Sequence, residues 1–145
     1  MGNYNFRKDL EESEKSVDKV IEFLKSVDCT EITKNNDGRY DIQYINKSGR
    51  MRTAEIKNDL MYNDTGNVAI EFQSRGKPSG ISTSLADVWY YVLGDDIYVC
   101  PTGVLRVYLI QHWDRFRRVQ GGDDKTSLIA LLPMKEFTTI FGHIN

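Results

Sequence analysis

The chain has 145 residues, of which 40% are hydrophobic and 28% charged, with a formal net charge of −2 at pH 7. This balance excludes a disordered or low-complexity chain, and no apolar run is long enough to cross a bilayer. The first residues contain no apolar segment typical of a secretory signal. Two cysteines, Cys29 and Cys100, do not make a disulfide framework. We therefore expect one cytoplasmic domain over residues 1–145.

The chain is predicted to begin with an amphipathic helix and three short strands. Residues 9–27 place apolar side chains at helical spacing, with acidic and basic side chains on the opposite face. Strands are predicted at 29–34, 39–46 and 50–57, joined by turns rich in Asn and Gly. This order is typical of an antiparallel meander packed on a helix.

The remaining segments are predicted to alternate between strands and helices. The predicted elements are a strand at 67–73, a helix at 85–93 capped within 82–84, a strand at 97–100, a helix from 102 to about 113, a strand at 127–132 and a closing helix at 134–141. Polar loops are predicted at 74–83 and 121–125. The fold class is therefore α/β or α+β, with a mixed central sheet flanked by helices.

Two acids and a lysine are predicted to meet on one face of the second and third strands. Glu55 and Lys57 share a face because side chains alternate along a strand, and the hairpin brings Asp41 opposite residue 54 or 55. Two carboxylates suit Mg²⁺, with Mn²⁺ as a substitute, and an adjacent lysine can orient an attacking water. The residues indicate phosphodiester hydrolysis; an exposed cross-strand ion-pair set is the competing interpretation.

This motif resembles that of the PD-(D/E)XK nuclease superfamily. Asp41 follows Gly38-Arg39-Tyr40, with Tyr40 in place of the eponymous proline, and Glu55-Ile56-Lys57 is the E-x-K element. The layout over residues 10–101 is similar to that of archaeal-type Holliday-junction resolvases and related phage-encoded endonucleases. The resemblance implies a restriction-endonuclease-like αβββαβ core, with Asp41 and Glu55 as metal ligands and Lys57 as the catalytic lysine.

Further acids are candidates for the same site. The family often adds a glutamate from the first helix, and Glu14 matches this role by position, with Asp18 and Glu22 as rivals. An alternative register uses three other residues as the active set: Asp59, Glu71 and Gln73. We favour the first register because it keeps the lysine. If the fourth strand pairs beside the third, both sets line one acidic pocket.

Loop 74–83 is predicted to bind the DNA backbone. Its glycines allow close approach, and its cations and hydroxyls can contact phosphates. The candidate contacts are Arg75, Lys77, Ser79, Ser82 and Thr83. The loop also resembles a segment of phage-encoded members of this nuclease class. A second basic group is either a further backbone contact or a set of ordinary surface charges: Arg106, Arg115, Arg117 and Arg118.

The sequence therefore predicts a Mg²⁺-dependent DNA endonuclease that acts on branched or recombining DNA. A homodimer is expected because two active sites are needed to cut both strands. The alternative is a catalytically inactive nuclease-like fold that serves as a DNA- or protein-binding module. Walker A, G-x-G-x-x-G, H-E-x-x-H and paired C-x-x-C motifs are absent from the sequence.

Overall fold

The computed structural model describes residues 2–59, 62–121 and 126–145, and it describes side chains for residues 10–59, 64–121 and 126–145. The helices are α1 (Gly2–Ser26), α2 (Tyr62–Thr65), α3 (Thr102–Gln111) and α4 (Met134–Ile140), with 3₁₀ turns at Gly80–Ser82 and Trp113–Arg115. The strands are β1 (Thr30–Lys34), β2 (Ile42–Ile45), β3 (Met51–Asn58), β4 (Asn67–Ser74), β5 (Lys77–Pro78), β6 (Val88–Leu93), β7 (Asp96–Pro101), β8 (Arg117–Gly121), β9 (Ser127–Pro133) and β10 (Gly142–His143). None of the described helices is both long and apolar enough to cross a membrane.

The strands form two sheets. The larger sheet has six strands in the order β1-β2-β3-β6-β7-β10, and the smaller has four in the order β5-β4-β9-β8. Within the larger sheet β3 and β6 run parallel, whereas β2 and β3, like β6 and β7, are antiparallel. The predicted α/β class with a mixed central sheet is therefore confirmed.

The prediction of a helix at residues 85–93 is wrong. This segment contains strand β6, which is one of the two central strands of the larger sheet. All six of its residues are buried, and they form the continuous apolar run VWYYVL. Such a run is typical of a strand covered on both faces, where neither helical periodicity nor alternation can appear. The hydroxyls at 82–84 therefore cap no helix over this segment.

The connection from β3 to β6 is built from short elements of the smaller sheet. It contains α2, β4, β5 and the 3₁₀ turn at Gly80–Ser82. A parallel pair of strands needs a crossover connection, which is usually an α-helix. Here a β-hairpin takes most of that place, and the helix described between these strands, α2, has only four residues, far fewer than the crossover helix that the predicted αβββαβ order implies.

The two faces of the larger sheet are covered differently. Helix α1 packs Val20 and Leu24 against one face, where Ile42 and Ile56 are also buried. The opposite face packs against the smaller sheet and the helices α3 and α4. The buried residues of this layer, which include Trp89 and Tyr91, form one apolar cluster. The side of the sheet that carries Trp89 also carries Glu55, because these residues are partners in the β3–β6 register.

Other predicted elements agree with the structure apart from their ends. The strands of the meander, β4, β7, β9 and the closing helix lie within a few residues of the predicted ranges, whereas the first helix begins at Gly2, seven residues before its predicted start. Strand β8 was not predicted. Its sequence, RRVQG, begins with two exposed arginines and does not alternate apolar with polar residues, so it gives no strand signal. Of the loop predicted at 121–125, Gly121 ends β8 and the rest lies outside the described residues.

Candidate active site

Asp41, Glu55 and Lys57 are brought together by the register of two strands. Ile42 pairs with Ala54 in the antiparallel β2–β3 ladder, and the Asp41 N–H donates a hydrogen bond of 2.9 Å to the Ala54 carbonyl. The same register sets Asp41 opposite Glu55, and opposed residues of an antiparallel pair share a face. Lys57 lies two residues further along β3 and therefore on that face as well.

The Asp41 carboxylate is fixed by the backbone of β3. Its Oδ2 atom accepts a hydrogen bond of 2.6 Å from the Ile56 N–H. This bond ties the start of β2 to the neighbouring strand, so Asp41 has a structural role in addition to any chemistry. It also holds the carboxylate beside Glu55.

Glu55 is in an environment that disfavours its negative charge. Burial raises the pKa of Glu55, and the Asp41 carboxylate raises it further, although the nearby Lys57 ammonium opposes both effects. The Lys57 Nζ atom lies 3.4 Å from Glu55 Oε1, and the two side chains are 43% and 20% exposed. The same Nζ lies 5.5 Å from the centroid of the Trp89 ring, which helps to hold the lysine in place.

Glu55, Lys57 and Trp89 line a cleft of about 310 Å³ between the larger sheet and the β4 side of the smaller sheet, whereas Asp41 is not among the described residues that line it. Glu55 and Lys57 line one wall, and Glu71 from β4 lines another. Gly80 and Thr83, on the segment between β5 and β6, also contribute to the lining. A larger groove of about 580 Å³ runs along α1, but its charges include ordinary surface ion pairs such as Lys19–Asp95.

The segment 79–84 is held tightly against β4. The Ser79 hydroxyl donates to Glu71 Oε2 at 3.0 Å, and the Ser82 hydroxyl donates to the Phe72 carbonyl at 2.8 Å. Gly80 has a φ of +53°, and a Cβ there would lie 2.2 Å from the Glu71 carbonyl oxygen. Only glycine fits this close approach. The segment is therefore a fixed wall of the cleft.

Arg106 from α3 anchors the same segment from behind. Its Nε atom donates to the Ile81 carbonyl at 3.0 Å, and its Nη2 atom donates to the Ser84 carbonyl at 2.9 Å. The sequence suggested Arg106 as a DNA contact, but its guanidinium is used within the fold. Arg115 forms an ion pair with Glu136, and the Arg118 guanidinium lies 4.6 Å from the centroid of the Trp113 ring.

The predicted DNA-contact residues occupy two different environments. Ser79 and Ser82 are donors within the fold, as described above, whereas Thr83 is exposed and lines the cleft. Arg75 and Lys77 are exposed at the β4–β5 hairpin, on either side of Gly76. The Ser79 and Ser82 hydroxyls therefore shape the wall, the Thr83 hydroxyl remains at the cleft, and the two cations lie at the hairpin tip.

The alternative register of acids is only partly assembled. The sequence analysis expected Glu71 to join the site only if β4 paired beside β3. In the structure β4 belongs to the other sheet, and Glu71 nevertheless lines the cleft. Asp59 instead accepts a hydrogen bond of 2.8 Å from the Ala69 N–H and joins the end of β3 to β4. Gln73 lies opposite Pro78 and Leu128 in the smaller sheet. Neither Asp59 nor Gln73 is among the described residues that line the cleft.

The acids of α1 lie on the far side of the larger sheet. The apolar face of this helix packs against Ile42 and Ile56, whose side chains point away from Glu55. Glu14 and Glu22 are exposed on the helix, and Asp18 forms an ion pair of 3.3 Å with Lys34. The structure does not bring these acids to the cleft.

The donors present fit a magnesium ion better than a metal that needs a full protein cage. Within the described ranges, no three His, Cys, Asp or Glu side chains are grouped closely enough to hold a metal ion. Mg²⁺ is commonly bound by one or two carboxylates and keeps several waters. Asp41 and Glu55 meet that requirement, and the mutual repulsion of two adjacent carboxylates would be relieved by a divalent cation.

Trp89 is a site residue that sequence reasoning assigned to another role. It was placed on the buried side of a helix, whereas in β6 it lies opposite Glu55 and beneath the Lys57 ammonium. Its indole N–H donates to the Ser84 hydroxyl at 2.9 Å, which links the strand to the cleft wall. Reading 88–93 as a strand would have put Trp89 and Tyr91 on one face, and the β3–β6 register makes this the Glu55 face.

Comparison with protein-family models, with curated proteins and with solved structures gives no match to this chain. Any assignment of activity therefore depends on the cleft and on the sequence motif.

Proposed function

We propose that this chain is a metal-dependent endonuclease that hydrolyses DNA phosphodiester bonds and has a restriction-endonuclease-like core of the PD-(D/E)XK type. The observation that carries the proposal is the β2–β3 register, which sets Asp41 opposite Glu55 with Lys57 on the same face. An acid on one strand and an E-x-K element on the next is the arrangement that the sequence motif predicted. The cleft is lined by Glu55 and Lys57 and gives a phosphate group access to them.

Each residue has a stated role in this proposal. Asp41 and Glu55 hold Mg²⁺ or Mn²⁺, which when bound neutralises charge on the phosphate and favours ionisation of a water. Lys57 donates hydrogen bonds to the water or to a phosphate oxygen, and its contact with the Trp89 ring limits its mobility. Thr83 offers a hydroxyl at the rim, and Arg75 and Lys77 contact backbone phosphates outside the cleft.

The substrate and location follow from the same proposal. DNA is the partner, and branched or recombining DNA is the first substrate to test because of the motif's resemblance to junction resolvases. A cytoplasmic location fits two free cysteines, of which Cys100 is buried and Cys29 half-buried.

A second candidate is a catalytically inactive DNA- or protein-binding module. The hydrogen bond from Ile56 to Asp41 and the ion pair between Lys57 and Glu55 favour it, because both acids already have partners without a metal. A cross-strand ion-pair set of this kind stabilises a sheet with no catalytic purpose. The two candidates differ in whether a divalent metal changes the protein's action on DNA.

The test is a cleavage assay on branched and linear DNA with Mg²⁺, with Mn²⁺ and with EDTA. We expect cutting with either metal, none in EDTA, and a rate at least about a hundredfold lower for Lys57→Ala. The matched control is Lys34→Ala, which removes another lysine that is paired to a carboxylate, at 3.3 Å, in the same sheet. Lys34→Ala should cut at the wild-type rate.

Two outcomes contradict the nuclease proposal. One is a folded wild-type protein that binds DNA but cuts neither substrate with either metal, which favours the binding module. The other is equal cutting by the wild type and Lys57→Ala, which would mean that the activity arises elsewhere.

A further inference from the structure

The exposed face of α3 carries an apolar ridge with no charged side chain. Val104, Val107 and Ile110 are 53%, 51% and 68% exposed, and their spacing of three residues aligns them along one side of the helix. Gly103 and Gln111 are the other exposed residues of this helix. In a chain with 28% charged residues, an uncharged row of branched side chains on an exposed helix is typical of an interface.

An apolar groove lies beside this ridge. It has a volume of about 480 Å³, and its lining is mostly apolar: Phe72, Ile81, Leu109, Ile110 and Trp113, together with two polar residues, Ser82 and Arg106. Ile110 therefore belongs to both the ridge and the groove. A projecting surface and a receiving surface are adjacent on the same side of the molecule.

We propose that this ridge and groove form the two-fold interface of a homodimer, in which the α3 helices of two copies pack antiparallel across Val107. A two-fold interface uses the same surface on both copies, so it must be complementary to itself. The ridge satisfies this condition because Val104 and Ile110 are each three residues from Val107. Val107 then meets its own counterpart, and Val104 of one copy meets Ile110 of the other.

The physical properties of the face favour a second copy over another partner. The uncharged ridge brings no like charges together at the centre of such an interface, and the one charged residue that lines the groove, Arg106, is bonded to the Ile81 and Ser84 carbonyls. Antiparallel helices also oppose their dipoles favourably. Gly103 has no side chain, so the end of the partner helix can pass close to this part of α3. A stable interface takes about 800 Å² from each copy, which is more than a row of three side chains provides, so the groove is included in the interface.

The dimer would leave the proposed catalytic cleft open. The segment 79–84 lies between the two depressions, with Ile81 and Ser82 lining the groove and Gly80 and Thr83 lining the cleft. The inference does not depend on the nuclease proposal, because association can be measured without DNA or metal.

The test is the mass of the full chain in solution by sedimentation velocity over a hundredfold range of concentration. We expect the wild type to reach twice its chain mass of 16.7 kDa. Val107→Glu places two carboxylates together on the two-fold axis and should weaken association at least about a hundredfold. The matched control is Met51→Glu, because Met51 is 60% exposed on β3, away from the ridge, and should leave the dimer unchanged.

A charge pair tests the antiparallel arrangement itself. Val104→Lys and Ile110→Glu should each weaken the dimer, and the double variant should restore it because each lysine then faces a glutamate of the other copy. The circular dichroism spectrum of each variant checks that the chain is folded. A wild type that stays monomeric, a Val107→Glu protein that stays dimeric, or a double variant no better than the single variants would each overturn the proposal.

Discussion

Asp41 is the residue at which structure and chemistry are most closely combined. Its carboxylate accepts the Ile56 N–H and stands opposite Glu55, so replacement by alanine removes both a hydrogen bond and a candidate metal ligand. Asparagine keeps an acceptor oxygen of the same reach and removes the negative charge. The two substitutions therefore separate the two roles.

We predict that Asp41→Ala destabilises the fold by about 1–3 kcal/mol, because the Ile56 N–H loses its partner. Asp41→Asn should change the free energy of unfolding by less than about 1 kcal/mol, since the acceptor remains and repulsion with Glu55 is removed. Urea denaturation measures both values. Cleavage should be lost in both variants. An Asp41→Asn protein with wild-type cleavage would show that the carboxylate has only a structural role.

Gly80 is the residue that sets how closely the cleft wall approaches β4. Gly80→Ala would place a Cβ 2.2 Å from the Glu71 carbonyl oxygen, in a backbone conformation that already disfavours side chains. Gly76 is a matched control because its φ is +76° and a Cβ there meets nothing within 4 Å.

We predict that Gly76→Ala costs about 1–2 kcal/mol from its positive φ alone. Gly80→Ala should cost clearly more, because the segment must also move away from Glu71. Thermal denaturation gives the comparison, and cleavage should fall in Gly80→Ala only. Equal destabilisation by the two substitutions would contradict the close packing of this wall.

Strand β6 is the element that governs both the fold and its dependence on pH. On the α1 side, the Tyr90 and Tyr44 hydroxyls lie 2.7 Å apart and both side chains are buried. Burial raises the pKa of both phenols above their ordinary value of 10.0. The folded state therefore holds these protons more tightly than the unfolded state.

The stabilising contribution of these two protons is complete below about pH 10 and is lost as the pH rises above it, because the unfolded chain ionises first. We predict that the free energy of unfolding falls more steeply above this pH in the wild type than in a Tyr44→Phe/Tyr90→Phe variant. Urea denaturation at a series of alkaline pH values measures the two slopes. Parallel slopes would contradict a coupled, buried tyrosine pair.

The elements that could be predicted from the sequence are those with a clear hydrophobic periodicity or a clear turn signal. The prediction was wrong where the periodicity is absent. The amphipathic α1 and the turns of the meander carry their signals in neighbouring residues, so these elements and the Asp41–Glu55 pairing could be predicted. The run at 88–93 is apolar at every position because both of its faces are covered, and only the tertiary structure shows that it is a strand. The approach of Glu71 to the cleft depends on packing between two sheets, which no local pattern records.

In the whole molecule the candidate active site lies in the cleft between the two sheets, and the apolar ridge lies on the exposed side of α3. If the cleft binds a divalent cation, binding to the folded state alone must stabilise the whole chain. We predict that Mg²⁺ or Mn²⁺ raises the melting temperature of the wild type, with a gain of about 2.7 kcal/mol at a hundred times the dissociation constant. Glu55→Gln should abolish this gain, and Glu11→Gln, at an exposed position of α1, should keep it. A gain of equal size in Glu55→Gln would place the cation elsewhere.

The most direct test of the central claim is a crystal soaked with Mn²⁺ and measured at a wavelength where manganese scatters anomalously. The proposed function predicts an anomalous peak in contact with the carboxylates of Asp41 and Glu55, on the side that faces Lys57. Density for both carboxylates without such a peak, or a manganese ion bound only to other acids, would contradict it.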